Sequence, residues 1–419
     1  MEQLAGTFLV EAIVWGFPNS FGVFLSAYLQ DPKLSSQSHA STLLPLIGTL
    51  SSGIMYCSGP AIYPFTSRYP RHRRTLLWVG ALLCWASLFV ASYTSKVSAL
   101  VLLQGVLYAI GGSLLYAPCM SFMSEWFVRK RGLASGIIFA GTSFGGLILP
   151  LIFPRLISRY GPSKALRILS VAFLCLILPT VPFLRPRLPQ ARVQGPRSRG
   201  SNKSWLKDRS FLLVIFANTL QGLAYFVPIV WLPTFAHELN LSDTDSSLAL
   251  SLMNGFSFVS RLAMGALGDK FDPWLLALGT TVLTSMATFL LWGVLSRSFA
   301  GLITFGIAYG FLAGGWSSLF TSFVRPLAED DPLLSTSLLG ILMLSRGLGN
   351  VLSTPISSAL SQARSGSTST TSRPRMGFDV AGGRYEGMIL YVGTCFAASG
   401  IIALLGWGLQ TRRPVSSRR

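Results

Sequence analysis

The chain has 419 residues, of which 51% are hydrophobic and only 12% are charged, about half of the ~25% charged fraction that soluble domains carry. A soluble protein of this length needs far more polar surface than these side chains supply, so the composition excludes a soluble globular protein and indicates an integral membrane protein. The net charge is +19, but most of the cations lie in short gaps between apolar runs. This pattern is typical of cytoplasmic loops in a multi-pass membrane protein rather than of a nucleic-acid-binding face.

A membrane-spanning helix needs about 20 mostly apolar residues, and the sequence contains twelve such segments. The predicted spans are residues 4–30, 41–65, 75–95, 98–124, 132–154, 166–184, 210–235, 246–267, 274–295, 299–324, 333–360 and 387–409. We therefore predict an all-α integral membrane protein with a six-helix bundle over residues 1–184 and a second over residues 210–419.

Lysine and arginine residues also predict the orientation of the chain. When the N-terminus is placed inside, most of these residues fall in inner segments, so both termini are predicted to face the cytoplasm. The predicted outer loop after the fifth span is the main exception, since it holds Arg155, Arg159, Lys164 and Arg167. We expect the plasma membrane rather than an internal membrane.

Two segments between spans have low complexity. Residues 185–209 are rich in proline, arginine and serine, and they are predicted to form a flexible, basic cytoplasmic linker that touches anionic lipid headgroups. Residues 361–386 begin with a serine- and threonine-rich run and are predicted to form a flexible external loop.

Signatures of catalysis and of cofactor binding are missing from the sequence. It contains no G-x-x-x-x-G-K-[ST] loop for nucleotide phosphates, no paired histidine or cysteine ligands for a metal, and no nucleophile with a neighbouring base. We therefore predict that the protein is not an enzyme and uses no cofactor and no metal.

Three charged residues lie inside predicted spans, where charge is costly and marks cavities, ion pairs or transport pathways. Glu11 is about 10 Å into the first span, Arg261 is near the inner end of the eighth, and Arg346 is near the midplane in the eleventh. Structural alternatives stay open for each: Arg261 could bind helix-end carbonyls or Asp269, Arg346 could brace helices, and Glu11 could reach the membrane surface or bond a nearby serine. The third, sixth, ninth and twelfth spans carry no deep charge and are expected to face lipid.

Several motifs resemble the monocarboxylate transporter-like family of the major facilitator superfamily, especially its fungal members. The run from Gly105 to Pro150 is similar to helices 4 and 5 of that family, including W-F-x-[KR]-[KR]-R-x-L-A-x-G at residues 126–136 and A-G-x-x-x-G at residues 140–145. Residues 254–271 resemble helix 8 and the superfamily loop G-x-L-[AG]-D-[RK]-[FY]. Phe17-Pro18-Asn19-Ser20 and Ser345-Arg346-Gly347-Leu348-Gly349 are further matches.

The resemblance implies two six-helix bundles that rock around a central site and give alternating access. We place the following residues in substrate binding or coupling: Glu11, Asn19, Tyr108, Asn254, Arg261, Trp316 and Arg346. We place the following in the inner gating loops: Arg68, Arg71, Glu125, Arg129, Arg131, Asp269 and Lys270.

Departures from the family pattern bear on the substrate. Animal proton-coupled monocarboxylate carriers have a lysine at the position of Asn19 and an aspartate at that of Ser257, so the usual means of moving a proton with lactate is incomplete here. In the first inner loop, Ser67 and Pro70 replace the superfamily's aspartate and glycine. We therefore expect a weaker latch from this half.

The nearest acid on that side in the first half is Glu125, and we expect it to pair with one of four cations. These candidates are Arg68, Arg71, Arg129 and Arg131.

The leading hypothesis is a secondary active transporter of a small organic solute that carries a carboxylate or another anionic group, with the lipid bilayer as its other partner. Glu11 is the only deep acid available for proton coupling. A facilitated carrier or exporter of a neutral or amphipathic metabolite is the alternative, and a transporter-like solute sensor is a remote one. Asn240-Leu241-Ser242 is a glycosylation sequon on the predicted outer side.

Overall fold

The structure is a computed structural model that describes residues 2–126, 131–187, 208–328, 332–362 and 374–411. Within these ranges it consists of helices and short connections, without a β-strand. The predicted linker at residues 185–209 falls mostly outside the described residues, as do both ends of the chain.

The N-terminal half contains six membrane helices, all close to the predicted spans. They are α1 (Glu2–Gln30), α2 (Ala40–Cys57 continued by Gly59–Arg68), α3 (Arg73–Ala91), α4 (Val97–Leu100, Val101–Leu107 and Tyr108–Trp126), and α5 and α6, which share the helix Arg131–Thr180. A short helix, Pro32–Ser35, precedes α2 on the outer side.

The C-terminal half repeats this arrangement. Its helices are α7 (Arg209–Glu238), α8 (Asp243–Gly268), α9 (Pro273–Ala287 and Thr288–Leu295), α10 (Phe299–Ala313, Gly314–Leu319 and Phe320–Ala328), α11 (Pro332–Gln362) and α12 (Glu386–Thr411). The fold is therefore the predicted pair of six-helix bundles.

Nine helices in the described ranges are long and apolar enough to cross a membrane by length and composition alone. One of these, Gly132–Phe183, contains two spans, because Gly161 has a φ of 78° and breaks the helix between α5 and α6. The other two predicted spans are α8 and α11, which are the helices that contain the buried arginines Arg261 and Arg346.

The turn at Gly161 corrects one sequence expectation. An outer loop was predicted over about ten residues between the fifth and sixth spans, but the structure is helical up to Tyr160 and again from Pro162. Glycine fits the left-handed backbone conformation, and proline fits the first turn of the following helix. The cations assigned to that loop, Arg155 and Arg159 among them, therefore lie on helices.

The external segment after α11 also differs from expectation. The helix α11 continues to Gln362, and residues Gly377–Gly383 form a 3₁₀ segment instead of a loose loop. Phe378 of this segment packs directly on Gly293 of α9, where no side chain is in the way. The part of the predicted flexible loop over residues 374–385 is thus held against the bundle.

Burial separates central helices from lipid-facing helices. The helices α1 and α7 are buried along most of their length. The four helices without deep charges carry exposed apolar side chains, for example Leu82, Leu176, Leu283 and Leu404. This is the pattern expected when these four helices face lipid.

The two halves meet mainly through α5 against α8, α2 against α11 and α1 against α7. Glycines allow the close approach at α5 and α8: a Cβ atom added to Gly136 would lie 2.6 Å from the carbonyl oxygen of Arg261. The candidate site lies between these interfaces.

Candidate functional site

Glu11 supplies the only acid of the site among the described residues. Its side chain is 1% exposed, and its Oε2 accepts a hydrogen bond from Oγ1 of Thr142 at 2.9 Å. The bond joins α1 to α5, so the partner is a threonine from another helix rather than a nearby serine. The other carboxylate oxygen, Oε1, has no hydrogen-bond partner within the described part of the chain.

Arg261 connects the two halves. It is 3% exposed, and its Nη1 donates to the carbonyl oxygen of Phe139 in α5 at 2.7 Å, while its Nη2 donates to the Tyr225 hydroxyl at 3.3 Å. The carbonyl that Arg261 contacts lies inside α5 of the opposite half rather than at a helix end, and the partner is not Asp269.

Arg346 lies near the middle of α11 and is fully buried. Its Nη1 donates to Oε1 of Gln221 in α7. The guanidinium carbon lies 4.5 Å from the centre of the Tyr225 ring and 5.5 Å from that of the Tyr56 ring. Tyr225 therefore contacts both arginines, by its hydroxyl on one side and by its ring on the other.

The three ionisable side chains Glu11, Arg261 and Arg346 together carry an excess of positive charge. Within the described ranges, neither arginine has a carboxylate oxygen within 4.0 Å, and both donate only to neutral oxygen atoms. The Nε atoms of both arginines lack hydrogen-bond partners in the same part of the chain. Because an unpaired buried charge is costly, these cations are suited to binding an anion.

Aromatic side chains surround the charged groups. The Trp15 ring lies 4.5 Å from that of Tyr56 and 5.8 Å from that of Tyr116. All of these rings are buried. We use the name central cluster for Glu11, Trp15, Tyr56, Tyr116, Gln221, Tyr225, Arg261 and Arg346.

Two predicted site residues, Asn19 and Asn254, lie where α1, α5 and α8 approach one another. Asn19 donates to the carbonyl oxygens of Trp15 at 3.0 Å and Thr142 at 3.4 Å, and Asn254 donates to that of Leu250 at 3.1 Å. A Cβ atom on Gly146 would collide with both asparagines. These contacts are typical of interhelical packing.

Two other predicted site residues, Tyr108 and Trp316, bond to groups in their own half. The Tyr108 hydroxyl donates to the carbonyl oxygen of Val14 at 2.7 Å, and Trp316 Nε1 donates to Oδ1 of Asn218 at 2.7 Å. Asn218 in turn donates to Oγ of Ser345, the residue before Arg346. Tyr108 thus braces α1 against α4, and Trp316 supports the helix that carries Arg346.

Asp269 joins α5 to α8 at the ends that the sequence predicts to face the cytoplasm, which we call the inner ends. Its two carboxylate oxygens accept hydrogen bonds from the backbone N–H groups of Gly132 and Leu133, both at 3.1 Å. A carboxylate is favourable at a helix N-terminus, where unpaired N–H groups and the helix dipole meet. This role follows from the loop position of Asp269, but the sequence alone did not identify its partner.

The other predicted gating residues give less information. Arg71 and Lys270 are exposed at the inner surface. The side chains of Arg68, Glu125 and Arg131, and the whole of Arg129, lie outside the described residues, so the predicted pairing of Glu125 stays a prediction. The sequon residue Asn240 is exposed in the turn between α7 and α8, with a φ of 56°.

A cavity of about 260 Å³ lies at the opposite, outer ends of α1, α5, α7 and α8. Its walls include Val23, Pro154, Pro233 and Ser247. The helices α5 and α8 are thus in contact at the ends that the sequence predicts to face the cytoplasm, and the cavity lies at their other ends.

Six contributors to the site were not placed there from the sequence: Trp15, Tyr56, Tyr116, Thr142, Gln221 and Tyr225. One signal was available, because Trp15 follows Glu11 by four residues and so lies on the same face of α1. No comparable signal points to Tyr56 or Thr142, whose roles depend on which helices meet.

The model of the Major Facilitator Superfamily matches residues 5–354 of the chain. The chain belongs to the Major Facilitator Superfamily. It is a multi-pass membrane protein, and this membership supports transport of a small organic solute.

Curated relatives of this superfamily member come from fungi. MFS-type transporter pytF of Aspergillus terreus is 31% identical over 63% of this chain and 88% of its own length. The aspyridones efflux protein apdF of Emericella nidulans is 26% identical over 83% of this chain and 68% of its own. The Fujikurins efflux protein of Gibberella fujikuroi is 29% identical over 75% of this chain and 67% of its own.

Among solved structures, a crystal structure of the nucleoside transporter NupG superimposes with a TM-score of 0.69. The match covers 97% of this chain and 100% of that one, at 13% identity. At this level of identity the likeness supports the fold alone.

Proposed function

We propose that this superfamily member is a secondary active transporter that exports a small organic anion, carboxylate-bearing in the simplest case, by alternating access. The observation that carries the proposal is the pair of buried arginines, Arg261 and Arg346, which have no carboxylate partner among the described residues. A guanidinium group can bind a carboxylate through two parallel charge-assisted hydrogen bonds.

The location of the two arginines supports binding at the centre of the transport path. Arg261 spans from the C-terminal half to the N-terminal half, and Arg346 contacts Tyr56 of the N-terminal half. An anion held by both would therefore respond to the relative position of the two halves. This is the requirement for a site with alternating access.

Glu11 is the candidate for proton coupling. It comes from the N-terminal half and is the described acid of the central cluster, with one carboxylate oxygen unpartnered. We expect Glu11→Gln to abolish stimulation of transport by a proton gradient and to leave counterflow of the solute intact. Uptake that keeps its full dependence on the gradient in Glu11→Gln would exclude this role.

The direction of transport is proposed from the relatives. Two of them are named as efflux proteins, for aspyridones and for fujikurins. Together with the motifs that resemble fungal monocarboxylate transporter-like proteins, these names support export of an acidic metabolite. We further propose that both termini are cytoplasmic, that residues 185–209 link the two halves on the inner side, and that the protein resides in the plasma membrane.

The experiment that tests the proposal is solute counterflow in proteoliposomes, with a panel of labelled organic anions and neutral metabolites. We expect anion counterflow by the wild type, and its loss in Arg346→Ala. Arg167→Ala is the matched control, because Arg167 lies outside the central cluster and stacks on Tyr93, with 3.9 Å between its guanidinium carbon and the ring centre. Anion counterflow that survives Arg346→Ala would make Arg346 a brace and contradict the proposal.

A second candidate function is export of a neutral or amphipathic metabolite, which the buried rings of Trp15, Tyr56 and Tyr116 favour. In that case the arginines serve only to hold helices together. Counterflow of a neutral solute by both the wild type and Arg346→Ala, without counterflow of any anion, would support this second function.

A further inference from the structure

The guanidinium group of Arg346 lies between two aromatic rings from opposite halves of the protein. Tyr225 of α7 approaches to 4.5 Å and Tyr56 of α2 to 5.5 Å, measured from the guanidinium carbon to the ring centres. A flat, delocalised cation stacks well on flat π-systems. A planar group that enters between the guanidinium and either ring would therefore meet a π face and the positive charge together.

Two further rings extend this aromatic surface. Trp15 lies next to Tyr56, and Tyr116 meets Trp15 nearly edge-on, with an interplanar angle of 79°. All four rings are at most 5% exposed. A saturated solute gains no ring-to-ring contact from such a surface, whereas an aromatic one is stabilised by each well-placed ring pair.

The same residues carry hydrogen-bond donors that lack acceptors. Trp15 Nε1, Gln221 Nε2 and Arg346 Nε are buried, and within the described ranges they have no partner. Buried N–H groups are normally paired, because leaving one unpaired is destabilising. Three unpaired donors near one excess positive charge match a ligand whose negative charge is spread over several oxygen atoms.

We infer that the solute is a planar conjugated acid, that is, an aromatic or enolate ring system with a delocalised negative charge. This inference rests on the proposed function, since it assumes that the solute is an anion. A saturated carboxylate would satisfy the donors but leave the ring faces unused. A neutral ring would use the faces but leave the charge uncompensated.

The inference makes Tyr56 and Trp15 specificity-determining residues. Tyr56 supplies a ring face beside the bound charge, and its replacement by phenylalanine keeps that face while leucine removes it. Trp15 supplies both a face and an N–H donor, and its replacement by phenylalanine removes the donor and reduces the area of the face.

The test is isothermal titration of the purified full chain in lipid nanodiscs with probes of matched size. The planar probes are benzoate and 2-naphthoate, the saturated probes are cyclohexanecarboxylate and decahydro-2-naphthoate, and the neutral planar probe is 2-naphthylmethanol. We expect each planar acid to bind about ten-fold more tightly than its saturated counterpart, as one or two ring contacts would provide. Tyr56→Leu should remove this preference, and Tyr56→Phe should retain it.

The outcomes separate this inference from the proposed function. Equal affinity for planar and saturated acids would overturn the inference and leave the proposed function intact. Binding of 2-naphthylmethanol without binding of any acid would overturn both, as would the absence of binding by every probe. Retention of the preference in Tyr56→Leu, with a melting temperature like that of Tyr56→Phe, would exclude Tyr56 as its source.

Discussion

The two main interfaces between the halves, α5 against α8 and α2 against α11, are built differently. The α5–α8 interface is tight at its inner end, where Gly132 and Gly136 meet Gly265, but its outer end borders the 260 Å³ cavity. The α2–α11 interface is in contact from end to end.

Side-chain hydrogen bonds mark the length of the α2–α11 interface. Asn350 Nδ2 donates to Ser52 Oγ at 2.6 Å, Thr354 Oγ1 to Thr49 Oγ1 at 2.6 Å, and Gln362 Nε2 to Thr42 Oγ1 at 3.2 Å near the outer surface. At the inner end, Gly59 packs against Gly340.

Each interface also holds one of the two arginines. Arg261 crosses the α5–α8 interface through its bond to Phe139, and Arg346 crosses the α2–α11 interface through its contact with Tyr56. From this difference we propose that α5 and α8 separate during the transport cycle while α2 and α11 act as the pivot. Arg261 is then part of both the gate and the binding site, whereas Arg346 is part of the binding site alone.

The largest change in the equilibrium between inward-closed and inward-open states is expected in Arg261→Met, and Arg346→Met is the variant to compare with it. Loss of a buried hydrogen bond from a charged group costs about 1.5–3 kcal/mol, so Arg261→Met should shift the protein toward an inward-open state by one to two orders of magnitude. Arg346→Met should leave that equilibrium unchanged and abolish anion binding.

This shift can be measured by double electron–electron resonance, after the native cysteines have been replaced. The spin labels are placed at Arg74→Cys and Phe271→Cys, because both residues are exposed near the inner surface. We expect a longer label distance in Arg261→Met only. Equal lengthening in both arginine variants would contradict the division of roles.

A slightly smaller change in the same equilibrium is expected in Gly136→Ala. The new Cβ atom would lie 2.6 Å from the backbone oxygen of Arg261, so α5 or α8 must move. Overpacking of this kind costs about 1–3 kcal/mol, and transport should fall at least several-fold as inner closure becomes unfavourable. The control is Gly279→Ala in α9, where a Cβ atom meets nothing within 4 Å. An equal loss of transport in both variants would show that the α5–α8 contact is not responsible.

Asp269→Ala should destabilise the inward-closed state by about 1 kcal/mol relative to the inward-open state, which is typical of losing a helix cap. It removes both bonds that hold the inner end of α5 to α8 and should lengthen the distance between the same spin labels in a minor population. Asp272→Ala is the matched control, since Asp272 accepts from Trp274 N at 2.8 Å and caps α9 within its own half. A shift of the label distance in Asp272→Ala alone would rule out the proposed closure by Asp269.

Much of the fold could be predicted from the sequence because apolar length and charge placement are local properties. The twelve spans and the deep positions of Glu11, Arg261 and Arg346 follow from counting residues along the chain. The turn at Gly161 was predicted as a loop because its flanking arginines and prolines resemble a polar connection, whereas proline is compatible with the first turn of a helix.

The candidate site could be predicted only in part, because its contacts depend on which helices become neighbours. Tyr56 and Thr142 are ordinary residues in their own helices, and they join the site only where α2 meets α11 and α5 meets α1. Tyr108 and Trp316 carry the right chemistry for a binding cavity, but each finds its polar partner within its own half.

The smallest effect is expected within the α2–α11 interface. Hydrogen bonds between membrane helices contribute about 0.6 kcal/mol on average, so Ser52→Ala and Asn350→Ala should each destabilise the protein slightly and leave transport within about two-fold of wild type. A double-mutant cycle in a denaturant series should give a coupling energy of similar size.

Thr304→Ala provides the control for this cycle, because the Thr304 hydroxyl is exposed and bonds only within its own helix, to Ala300 at 2.8 Å. Its cycle with Asn350→Ala should show no coupling. If α2 and α11 separated during the cycle as α5 and α8 do, breaking the Ser52–Asn350 bond would change the balance between inward- and outward-open states. A shift of the spin-label distance in Ser52→Ala would therefore disprove the pivot, whereas loss of stability without such a shift is what a permanent contact requires.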